Sequence, residues 1–589
     1  MMRTIRRTKI VCTLGPAVDN EDSVRELLHA GMNVARFNFS HGTHEEHHNR
    51  IERLRKVSRE EGIPVAIMLD TKGPEIRTGK LEGNQQFELA TGDRITITTD
   101  DVLGNAERIS VSYKQLPREV DPGKHLYIAD GLIDLEVVSV SGNDVHCVVR
   151  SGGALGSRKN VNIPGIRVQL PAITEKDLSD IVFAVEEKMD FIAASFIRKP
   201  ADVDQIQDVL REHESPIRVI AKIEDQEGLS NIEEIVRISD GVMVARGDLG
   251  VQLALEDIPL AQKRIITFCN DHNKPVITAT QMLDSMIENP RPTRAELTDV
   301  ANAIFDGTDA VMLSGETASG RYPTRACETL DRIARTIEAS PEYRDRAMGD
   351  FNLRGTSNDV GSAVAKATFV VASDVDAAAI IAPSLRGNSP RLLSRFRPSQ
   401  PIIAVTTTEL VQRQLLLYWG IVPLVADEVV HSEQMVQNAI RNALDRGLIG
   451  RNDRVVTTAG IPLHSAIPMN TIKVHILGNI LNRGHEGFGQ TATGRIVKAA
   501  DADEARKRLR LDSTEILVAP VLTEAHAVFL PNLAGVVLEE RSQISHDRIR
   551  HENENLVFIS EVPNALFGIE DGITVTLDGE EKIIYVGVL

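Results

Sequence analysis

Four charged side chains in the middle of the chain have the types and the spacing to bind a phosphate together with a divalent metal ion. Lys222 and Glu224 close the β-branched run RVIAKIE, and side chains two positions apart on a strand share one face. Arg246 and Asp248 repeat this spacing after the apolar run VMVA, and Gly247 between them leaves its backbone open to a close ligand. Hard divalent ions prefer oxygen ligands, so two carboxylates beside a lysine suit Mg²⁺ and a phosphate. The alternative is that these are solvated charges at strand ends, where ion pairs are common.

Polar residues also alternate along an earlier strand. In NVARFNFSHG, Arg36, Asn38 and Ser40 fall at every second position and share a face, while aromatic residues lie between them. Polar groups on the inner face of a buried strand need a binding partner. The next strand, VAIMLD, ends in the polar segment DTKGPEIR, which begins at Asp70.

Strand and helix patterns alternate over residues 1–77 and 166–340. The strands of this pattern end at eight positions: Leu14, Phe37, Asp70, Ser195, Lys222, Ala245, Thr280 and Ser314. Eight such βα units predict a closed (β/α)8 TIM barrel of the α/β class, with the active site on loops at the C-terminal ends of the strands. Polar residues gather at these ends in seven of the eight units, which scattered surface charges do not explain.

The pattern changes outside the barrel. Residues 78–165 show short alternating runs between Gly, Asp and Asn turns, which predicts a small inserted all-β domain. After a polar stretch from Glu338 to Asp359, which predicts a linker, the region 354–477 alternates strands and helices and predicts an open αβ sheet domain. Residues 478–494 are rich in Gly, Asn and Thr and predict a flexible linker. An extra αβ unit, residues 495–589, follows it.

Composition excludes several classes of function. A chain of 589 residues is too long for one core, and one domain per ~150 residues predicts three to five domains. The 66 basic and 84 acidic residues give a net charge of -18, which argues against a nucleic-acid partner or an anionic membrane. An anionic substrate would therefore need a local site lined by basic groups or a metal ion.

The cysteines and the N-terminus indicate a cytoplasmic protein. The four cysteines lie in apolar runs without metal-ligand spacing, which predicts buried, reduced thiols: Cys12, Cys147, Cys269 and Cys327. The N-terminus has basic residues but only a brief apolar run, so we expect no secretory signal. No run of ~18 apolar residues is present, so we expect no membrane-spanning helix.

A dozen motifs from residue 4 to about residue 477 resemble those of the pyruvate kinase family, in the same order and at matching spacing. They include TKIVCTLGP, GMNVARFNFSHG, LDTKGPEIRTG, NIPG, ASFIRK, AKIEDQEG, VMVARGDLGV, TATQMLDSMI, PRPTRAE and DGTDAVMLSGETA. The resemblance implies transfer of the phosphoryl group of phosphoenolpyruvate to ADP, the last step of glycolysis. The products would be ATP and an enolate that is then protonated to pyruvate. It also implies Mg²⁺ (or Mn²⁺) and K⁺ as cofactors, and a homotetramer.

The same resemblance assigns ligands to the strand ends. Glu224 and Asp248 would hold Mg²⁺. Potassium would be bound by oxygen atoms of four residues: Asn38, Ser40, Asp70 and Thr71. The substrate would be bound by Arg36, Lys222, Gly247, Asp248 and Thr280. The nucleotide would be bound by Asn38, His41, Arg77 and Lys159.

The resemblance also implies which residues carry out phosphoryl transfer and protonation of the enolate. Lys222 would neutralise the phosphoryl group during transfer, because this reaction needs charge stabilisation rather than covalent help. Thr280 would be a further catalytic position, and Ser314 and Glu316 near it would route the proton to the enolate, since threonine and serine hydroxyls need water or a neighbour to act as acids. The inserted β domain, which carries Lys159, would close as a lid and exclude water.

Two positions refine these expectations. Members of the family with glutamate at the position of Glu75 depend on potassium, whereas members with lysine there do not, so we expect potassium activation. Phe37 replaces the usual leucine, but it lies on the strand face opposite Arg36 and should have no functional consequence.

The segment SLRGNSPRLLSRFRP in the open-sheet domain is similar to the effector loop of the family. Small hydroxyl residues and glycine at a helix N-terminus bind phosphate through backbone NH groups. The candidate effector ligands are Ser384, Gly387, Asn388 and Ser389. Arg386 and Pro390 depart from the pattern, and Pro390 removes a donor. The alternative to a phosphorylated effector is an ordinary helix cap.

The last unit resembles the mobile, phosphohistidine-type domain of phosphoenolpyruvate-utilising enzymes. EERSQISHDRIR keeps Ser545 and His546 of that domain's signature, but Arg541 and Ser542 replace glycines and Asp547 replaces alanine. A carboxylate beside the histidine would repel a phosphate, so a structural or interface domain is the expected role.

Two other functions are alternatives to this one. A dikinase that pairs a phosphohistidine domain with a barrel would need an intact swivel motif and an ATP-grasp region, and neither is visible. A catalytically silent regulator would bind the same ligands without turnover. Every matched catalytic position holds the expected residue type, which favours the enzyme.

Overall fold

The computed structural model describes residues 5–588 except 167–168, 347–358, 428–431, 451–452, 462–466, 468, 479 and 511. It divides into two compact units: residues 1–355 with 413–419, and residues 356–412 with 420–589. Most of the predicted linker between Glu338 and Asp359 lies outside the described residues. Among the residues described, no helix is long and apolar enough to cross a membrane.

Eight parallel strands close into a barrel in the first unit. They are Lys9–Thr13, Val34–Asn38, Ala66–Asp70, Phe191–Ala194, Arg218–Ile223, Gly241–Ala245, Val276–Ala279 and Ala310–Leu313, and we number them one to eight. Strand one pairs with strand eight, with Lys9 opposite Ala310, so the sheet has no free edge. The predicted (β/α)8 barrel is confirmed.

Helices follow the barrel strands. The long ones are Glu21–Ala30, His44–Glu61, Glu175–Glu186, Pro200–Glu212, Ile258–Asp271, Arg294–Phe305 and Pro323–Glu338. Shorter ones are Gln226–Ser230, Ile232–Ile238, Arg246–Gln252 and Gly315–Ala318. Local signals set the helix ends: Thr43 forms a capping box with Glu46, and Gly62 ends the same helix in the left-handed conformation.

The insertion between strands three and four is a separate β domain with its own apolar core. Its six-stranded sheet has the spatial order Val161–Asn162, His125–Ile128, Ile133–Ser141, Asp144–Ser151, Arg94–Thr98 and Arg108–Ser110. Phe87–Leu89 and Gly153–Leu155 form a second, two-stranded sheet.

The second unit begins with an open five-stranded sheet. Its spatial order is Ile421–Val425, Ile402–Thr406, Ala379–Pro383, Arg454–Ala459 and Thr471–Ile476. The helix Val360–Asp374 precedes the first strand, and the helices Asn388–Ser394, Glu409–Leu415 and Ser432–Asp445 lie between successive strands. Pro423 lies within the strand Ile421–Val425, and proline is tolerated there because this strand is at the sheet edge.

The extra C-terminal unit, which we call the last unit, contains an eight-stranded sheet that begins before residue 495, the predicted boundary. Its spatial order is Ile480–Arg483, Ile583–Val586, Thr574–Asp578, Thr491–Lys498, Glu515–Ala519, Gly535–Leu538, Val557–Ser560 and Glu486–Phe488. Its helical segments are Ala502–Arg508, Glu524–Asn532, His546–Glu552 and Ala565–Gly568. The expected flexible linker at residues 478–494 is therefore wrong, since three strands of this sheet fall in it.

The glycines in this segment serve close packing. A Cβ atom on Gly484 would lie 2.4 Å from Ile559 Cγ2 and 2.7 Å from the carbonyl oxygen of Ser560. A Cβ on Gly487 would lie 2.7 Å from the carbonyl oxygen of Gly579. The composition that suggests a flexible chain is thus the composition that lets neighbouring backbones approach.

We therefore expect Gly484→Ala to destabilise the last unit by ~1–3 kcal/mol through overpacking. Hydrogen exchange of the strand Val557–Ser560 should become faster in this variant. Gly568→Ala is the matched control, because no atom lies within 4 Å of its Cβ position. Equal exchange in the two variants would mean that Gly484 lies in a flexible linker after all.

Candidate active site

Lys222 lies at the centre of a charged cluster at the C-terminal ends of the barrel strands. Its Nζ lies 2.9 Å from Asp70 Oδ1, 2.9 Å from Glu224 Oε1 and 2.6 Å from Ser195 Oγ. These partners follow strands three, four and five, which are neighbours in the barrel. All four residues are buried, so the charges interact in a medium that screens them weakly.

A second cation extends the cluster. Arg36 Nε donates to Asp70 Oδ2 at 2.6 Å, and Arg36 Nη1 donates to Thr13 Oγ1 at 2.8 Å. Thr13 and Arg36 are register partners on strands one and two. Asp70 therefore binds a different cation with each of its oxygen atoms.

These contacts fix the charge states of the cluster. Burial acts to lower the pKa of Lys222, but Asp70 and Glu224 outweigh it and raise that pKa. Burial acts to raise the pKa of Asp70, but Arg36 and Lys222 outweigh it and lower that pKa. Lys222 is thus held as a cation in a water-poor site, where a positive charge acts strongly on a bound anion.

The two carboxylates predicted to bind Mg²⁺ carry unfavourable negative charge. Burial raises the pKa of Glu224 to about 7; Lys222 opposes this effect and Asp248 adds to it. Burial also raises the pKa of Asp248, with further contributions from Asp130 and Asp70. A divalent cation would offset this charge, so the donor set fits Mg²⁺ or Mn²⁺.

This pair does not form a complete metal cage. Among the residues described, no group of three or more His, Cys, Asp and Glu side chains is arranged to hold a metal ion. An ion held by Glu224 and Asp248 would therefore take its remaining ligands from substrate and water, as Mg²⁺ commonly does at phosphate sites.

The predicted potassium ligands lie at the ends of strands two and three and directly after them. Asn38 and Asp70 are register partners, and Asn38 Oδ1 accepts a hydrogen bond from the Ser40 NH at 3.1 Å. The carbonyl oxygen of Thr71 accepts a 2.6 Å hydrogen bond from Ser195 Oγ. These neutral and anionic oxygens have the chemistry that an alkali cation prefers.

Arg246 and Asp248 lie on a helix, whereas the sequence pattern predicts a strand for them. Strand six ends at Ala245, and the helix Arg246–Gln252 begins directly after it, so strand alternation does not apply to Arg246 and Asp248. Arg246 forms an ion pair with Asp299, at 2.7 Å from Oδ2. By contrast, Lys222 and Glu224 do meet, as their spacing predicted.

The loops after strands six and seven meet at Gly247 and Thr280. The Gly247 NH donates to Thr280 Oγ1 at 2.8 Å, and Thr280 Oγ1 donates to the carbonyl oxygen of Ala279 at 2.6 Å. The two groups predicted to receive the substrate therefore bind each other here. A substrate carboxylate would have to replace the hydrogen bond between them.

The carboxylate of Glu316 connects the segments that follow strands seven and eight. It accepts hydrogen bonds from the Ser314 NH at 2.7 Å and the Leu283 NH at 3.1 Å. Burial raises its pKa. The Ser314 hydroxyl is buried and has no hydrogen-bond partner among the residues described.

A cavity of about 270 Å³ lies between the inserted β domain and the barrel. The inserted domain and its base supply Glu75 and residues 160–163, and the barrel supplies Phe196, Arg198 and Asp248. A cleft lined from both sides, with charged groups at its edge, is typical of a ligand site.

The predicted nucleotide ligands lie at the base of the inserted domain and beside it. Arg77 Nε donates to Glu75 Oε2 at 2.7 Å and Arg77 Nη1 to the carbonyl oxygen of Arg158 at 2.8 Å. The backbone of Lys159 pairs with Thr78. His41 is exposed on the loop after strand two.

A polar contact joins the inserted domain to the barrel, and a second set of contacts fixes a turn within the inserted domain. Gln252 Nε2 donates to Asn162 Oδ1 at 3.1 Å. Asn160 holds the turn at Asp130: its Oδ1 accepts from the Asp130 NH at 3.0 Å and its Nδ2 donates to the carboxylate at 2.6 Å. Ala129 and Asp130 both have positive φ, 55° and 58°, so this turn is strained and fixed in place.

The sequence analysis did not assign a role to Ser195 or Thr13. Each contacts a predicted site residue through its hydroxyl. Both end or nearly end a barrel strand, and that position was the available signal. Their partners could not be foreseen, because the contacts cross between strands.

The predicted effector loop lies in the second unit. Gly387, with a φ of 74°, precedes the helix Asn388–Ser394, and the Ser384 NH donates to the carbonyl oxygen of Val405 at 2.8 Å. A small cavity of about 20 Å³ lies beside this loop, lined by Leu385, Val405, Thr406, Thr407, Ala426, Asp427, Met435 and Asn438.

His546 occupies an aromatic environment in the last unit. Its ring centroid lies 5.3 Å from that of Phe488 and 5.1 Å from that of Phe558. Its Nε2 lies 3.8 Å from Glu486 Oε2. An anionic neighbour opposes binding of a phosphate, in agreement with the altered signature.

The fold and this site define an enzyme of the (β/α)8-barrel class whose active centre combines buried cations with paired carboxylates. The pyruvate kinase barrel-domain family matches residues 5–327, the pyruvate kinase alpha/beta-domain family matches residues 362–475, and the PEP-utilising enzyme mobile-domain family matches residues 511–582. The chain belongs to the pyruvate kinase family and is an enzyme of that family.

Similar proteins cover almost the whole chain. The chain is 45% identical over 588 residues to a pyruvate kinase of Sporosarcina psychrophila and 44% identical over 587 residues to one of Geobacillus stearothermophilus, with 99% of both chains covered in each case. A crystal structure of a pyruvate kinase from Cryptosporidium parvum matches with a TM-score of 0.77 at 42% identity, covering 80% of this chain and 96% of that chain.

Ser195→Ala should lower pyruvate kinase activity, because Lys222 loses one hydrogen bond and the Thr71 carbonyl loses another. Hydrogen bonds to charged groups contribute ~1.5–3 kcal/mol, so kcat/KM should fall by ~10–100-fold. Ser23→Ala, which removes an exposed hydroxyl on a distant helix, is the control. If Ser195→Ala matched Ser23→Ala in steady-state kinetics, Ser195 would have no part in the site.

Proposed function

We propose that the chain transfers the phosphoryl group of phosphoenolpyruvate to ADP, giving ATP and pyruvate, with Mg²⁺ (or Mn²⁺) and K⁺ as cofactors. The observation that carries this proposal is the buried ammonium of Lys222, held between Asp70 and Glu224. A phosphoryl group in transfer carries charge on its peripheral oxygens, and a fixed cation in a dry site stabilises that charge.

The residues around Lys222 would divide the work of phosphoryl transfer. Arg36 would bind the phosphate of the substrate, and Glu224 and Asp248 would hold Mg²⁺. Bound Mg²⁺ supplies positive charge to the phosphate oxygens. Gly247 and Thr280 would bind the substrate carboxylate in place of their present mutual hydrogen bond.

Protonation of the enolate would follow transfer. The hydroxyl of Thr280 would deliver the proton to the methylene carbon of the enolate, and Ser314 with Glu316 would replace it. The unpartnered hydroxyl of Ser314 and the raised pKa of Glu316, caused by burial, support this route.

The inserted β domain would close over the nucleotide. Arg77 and Lys159 would contact the phosphates of ADP, with Asn38 and His41 on the barrel side of the same ligand. The contact between Gln252 and Asn162 and the cavity between the two parts support a lid that excludes water.

Potassium would lie among the oxygens of Asn38, Ser40, Asp70 and Thr71. Bound K⁺ supplies a further positive charge near the phosphate site. Glu75 at the base of the lid supports this requirement, since family members with lysine at this position do not need the ion. The Glu75 carboxylate accepts from Arg77 and lies 3.8 Å from Lys72 Nζ.

The second unit would regulate and assemble the enzyme. Ser384, Gly387, Asn388 and Ser389 would bind a phosphorylated effector through a helix N-terminus. The last unit would act as a structural or interface domain, since His546 faces Glu486. We also propose a homotetramer in the cytoplasm; four free, buried cysteines support a reducing location.

The direct test is ATP formation from phosphoenolpyruvate and ADP with Mg²⁺, measured in K⁺ and in tetramethylammonium at equal ionic strength. We expect activity that falls by at least ~10-fold without K⁺, a loss of ~1.4 kcal/mol of stabilisation in the active complex. Glu75→Lys should remove the dependence, because its ammonium supplies the missing charge.

Each outcome addresses a different part of the proposal. Equal activity of the unmodified chain in both salts would overturn the potassium requirement alone. Binding of phosphoenolpyruvate without ATP formation under any condition would replace the enzyme with a silent regulator.

A further inference from the structure

Arg246 makes more polar contacts around the active site than any predicted role requires. Its Nη1 lies 2.7 and 2.8 Å from the two carboxylate oxygens of Asp299, and its Nη2 donates to the carbonyl oxygen of Thr280 at 2.7 Å. Its Nε donates to the carbonyl oxygen of Ala279 at 3.3 Å. Arg246 is buried, so these contacts form largely out of water.

The loop that Arg246 holds is strained. Thr280 has a φ of 64° and the next residue, Gln281, has a φ of 53°. A β-branched residue rarely adopts this left-handed conformation, because its branched side chain crowds the backbone. Such a conformation persists only where neighbouring groups fix it.

Arg246 contacts both peptide groups that define this conformation. The carbonyl of Ala279 and the carbonyl of Thr280 flank the strained residue, and one guanidinium binds both. The Ala279 carbonyl also accepts the Thr280 hydroxyl, which in turn accepts the Gly247 NH. The direction of the Thr280 hydroxyl is therefore coupled to the position of Arg246.

We propose that Arg246, held by Asp299, is a positioning residue that keeps the Thr280 hydroxyl beside the Gly247 NH, where the substrate would bind. This role rests on the proposed function, in which Thr280 binds the substrate carboxylate and protonates the enolate. The planar guanidinium suits it, since its donors point in fixed directions that can bind two carbonyls and a carboxylate at once. An ammonium offers three donors from one atom and cannot span these partners.

Loss of Arg246 should impair the use of phosphoenolpyruvate and not that of ADP. Arg246 lies directly before Gly247 in the chain and contacts the Thr280 loop, whereas the nucleotide ligands Arg77 and Lys159 belong to the inserted domain side of the cleft. Loss of Arg246 should therefore raise KM for phosphoenolpyruvate and lower kcat, while KM for ADP stays within about twofold. A misplacement of ~1 Å costs on the order of 10²-fold in rate.

The experiment compares Arg246→Ala, Arg246→Lys and Thr280→Val with the double variant Arg246→Ala/Thr280→Val. We expect Arg246→Ala to lower kcat by ~100-fold, and Arg246→Lys to restore little of it. Because Arg246 acts through Thr280, adding Arg246→Ala to Thr280→Val should cost less than about threefold more. Guanidinium ion at millimolar concentration should partly restore kcat in Arg246→Ala, and methylammonium should not.

A second measurement follows the transfer of protons between the active site and the methyl group of pyruvate. Exchange of the methyl protons of pyruvate with D₂O, observed by NMR in the presence of ATP, should slow in Arg246→Ala in parallel with kcat. Asp299→Asn keeps the side-chain volume and removes the charge that anchors Arg246. Asp299→Asn should also raise KM for phosphoenolpyruvate and lower kcat, but by less than Arg246→Ala does. It takes the place of Arg246→Ala in the experiment if that variant does not fold.

Several results would overturn the proposal. Full additivity in the double variant, or equal increases in KM for both substrates, would show that Arg246 does not act through Thr280. A loss of activity that only follows the fraction of folded protein would assign Arg246 to stability. If the unmodified chain formed no ATP, the proposed function would fail, and the proposal with it, whatever the variants showed.

Discussion

The active site depends on one buried interaction, the ammonium of Lys222 between the carboxylates of Asp70 and Glu224. A lone charge would not be stable at this depth, and neither carboxylate would remain ionised without a cation nearby. The barrel solves this problem by placing the three residues at the ends of strands three and five, on either side of strand four, where the register sets their separation. Arg36 and Ser195 then bind the remaining polar groups of the cluster, so that its geometry is fixed before any substrate arrives.

The same need to balance buried charge explains how the pKa values of the carboxylates in this cluster differ. Asp70 is satisfied by two cations, whereas Glu224 and Asp248 retain raised pKa values because burial is not fully offset. A divalent cation would offset the negative charge of these two carboxylates. An anionic ligand would supply that cation with further oxygen ligands. Phosphoryl transfer requires such charge stabilisation by fixed residues together with a metal ion.

Much of this could be predicted from the sequence, and the failures have physical causes. Alternation on a strand correctly paired Lys222 with Glu224, but the same rule failed for Arg246 and Asp248, because a helix begins at Arg246 and a local pattern does not show where a strand ends. Contacts such as that of Ser195 with Lys222 cross between strands and depend on barrel register. Gly484 and its neighbours suggested a linker because composition does not distinguish a flexible backbone from one packed too closely for a Cβ atom.

The most direct measurement of the central claim is the single-turnover rate of phosphoryl transfer in Lys222→Met, a variant of similar length without the charge. The account predicts a folded protein in which transfer is slower by at least ~100-fold, about 3 kcal/mol of lost transition-state stabilisation. Lys56→Met, which removes an exposed lysine from a surface helix, should leave the rate unchanged. Transfer at a near-normal rate in Lys222→Met would contradict the account, because the buried ammonium would then have no role in the reaction.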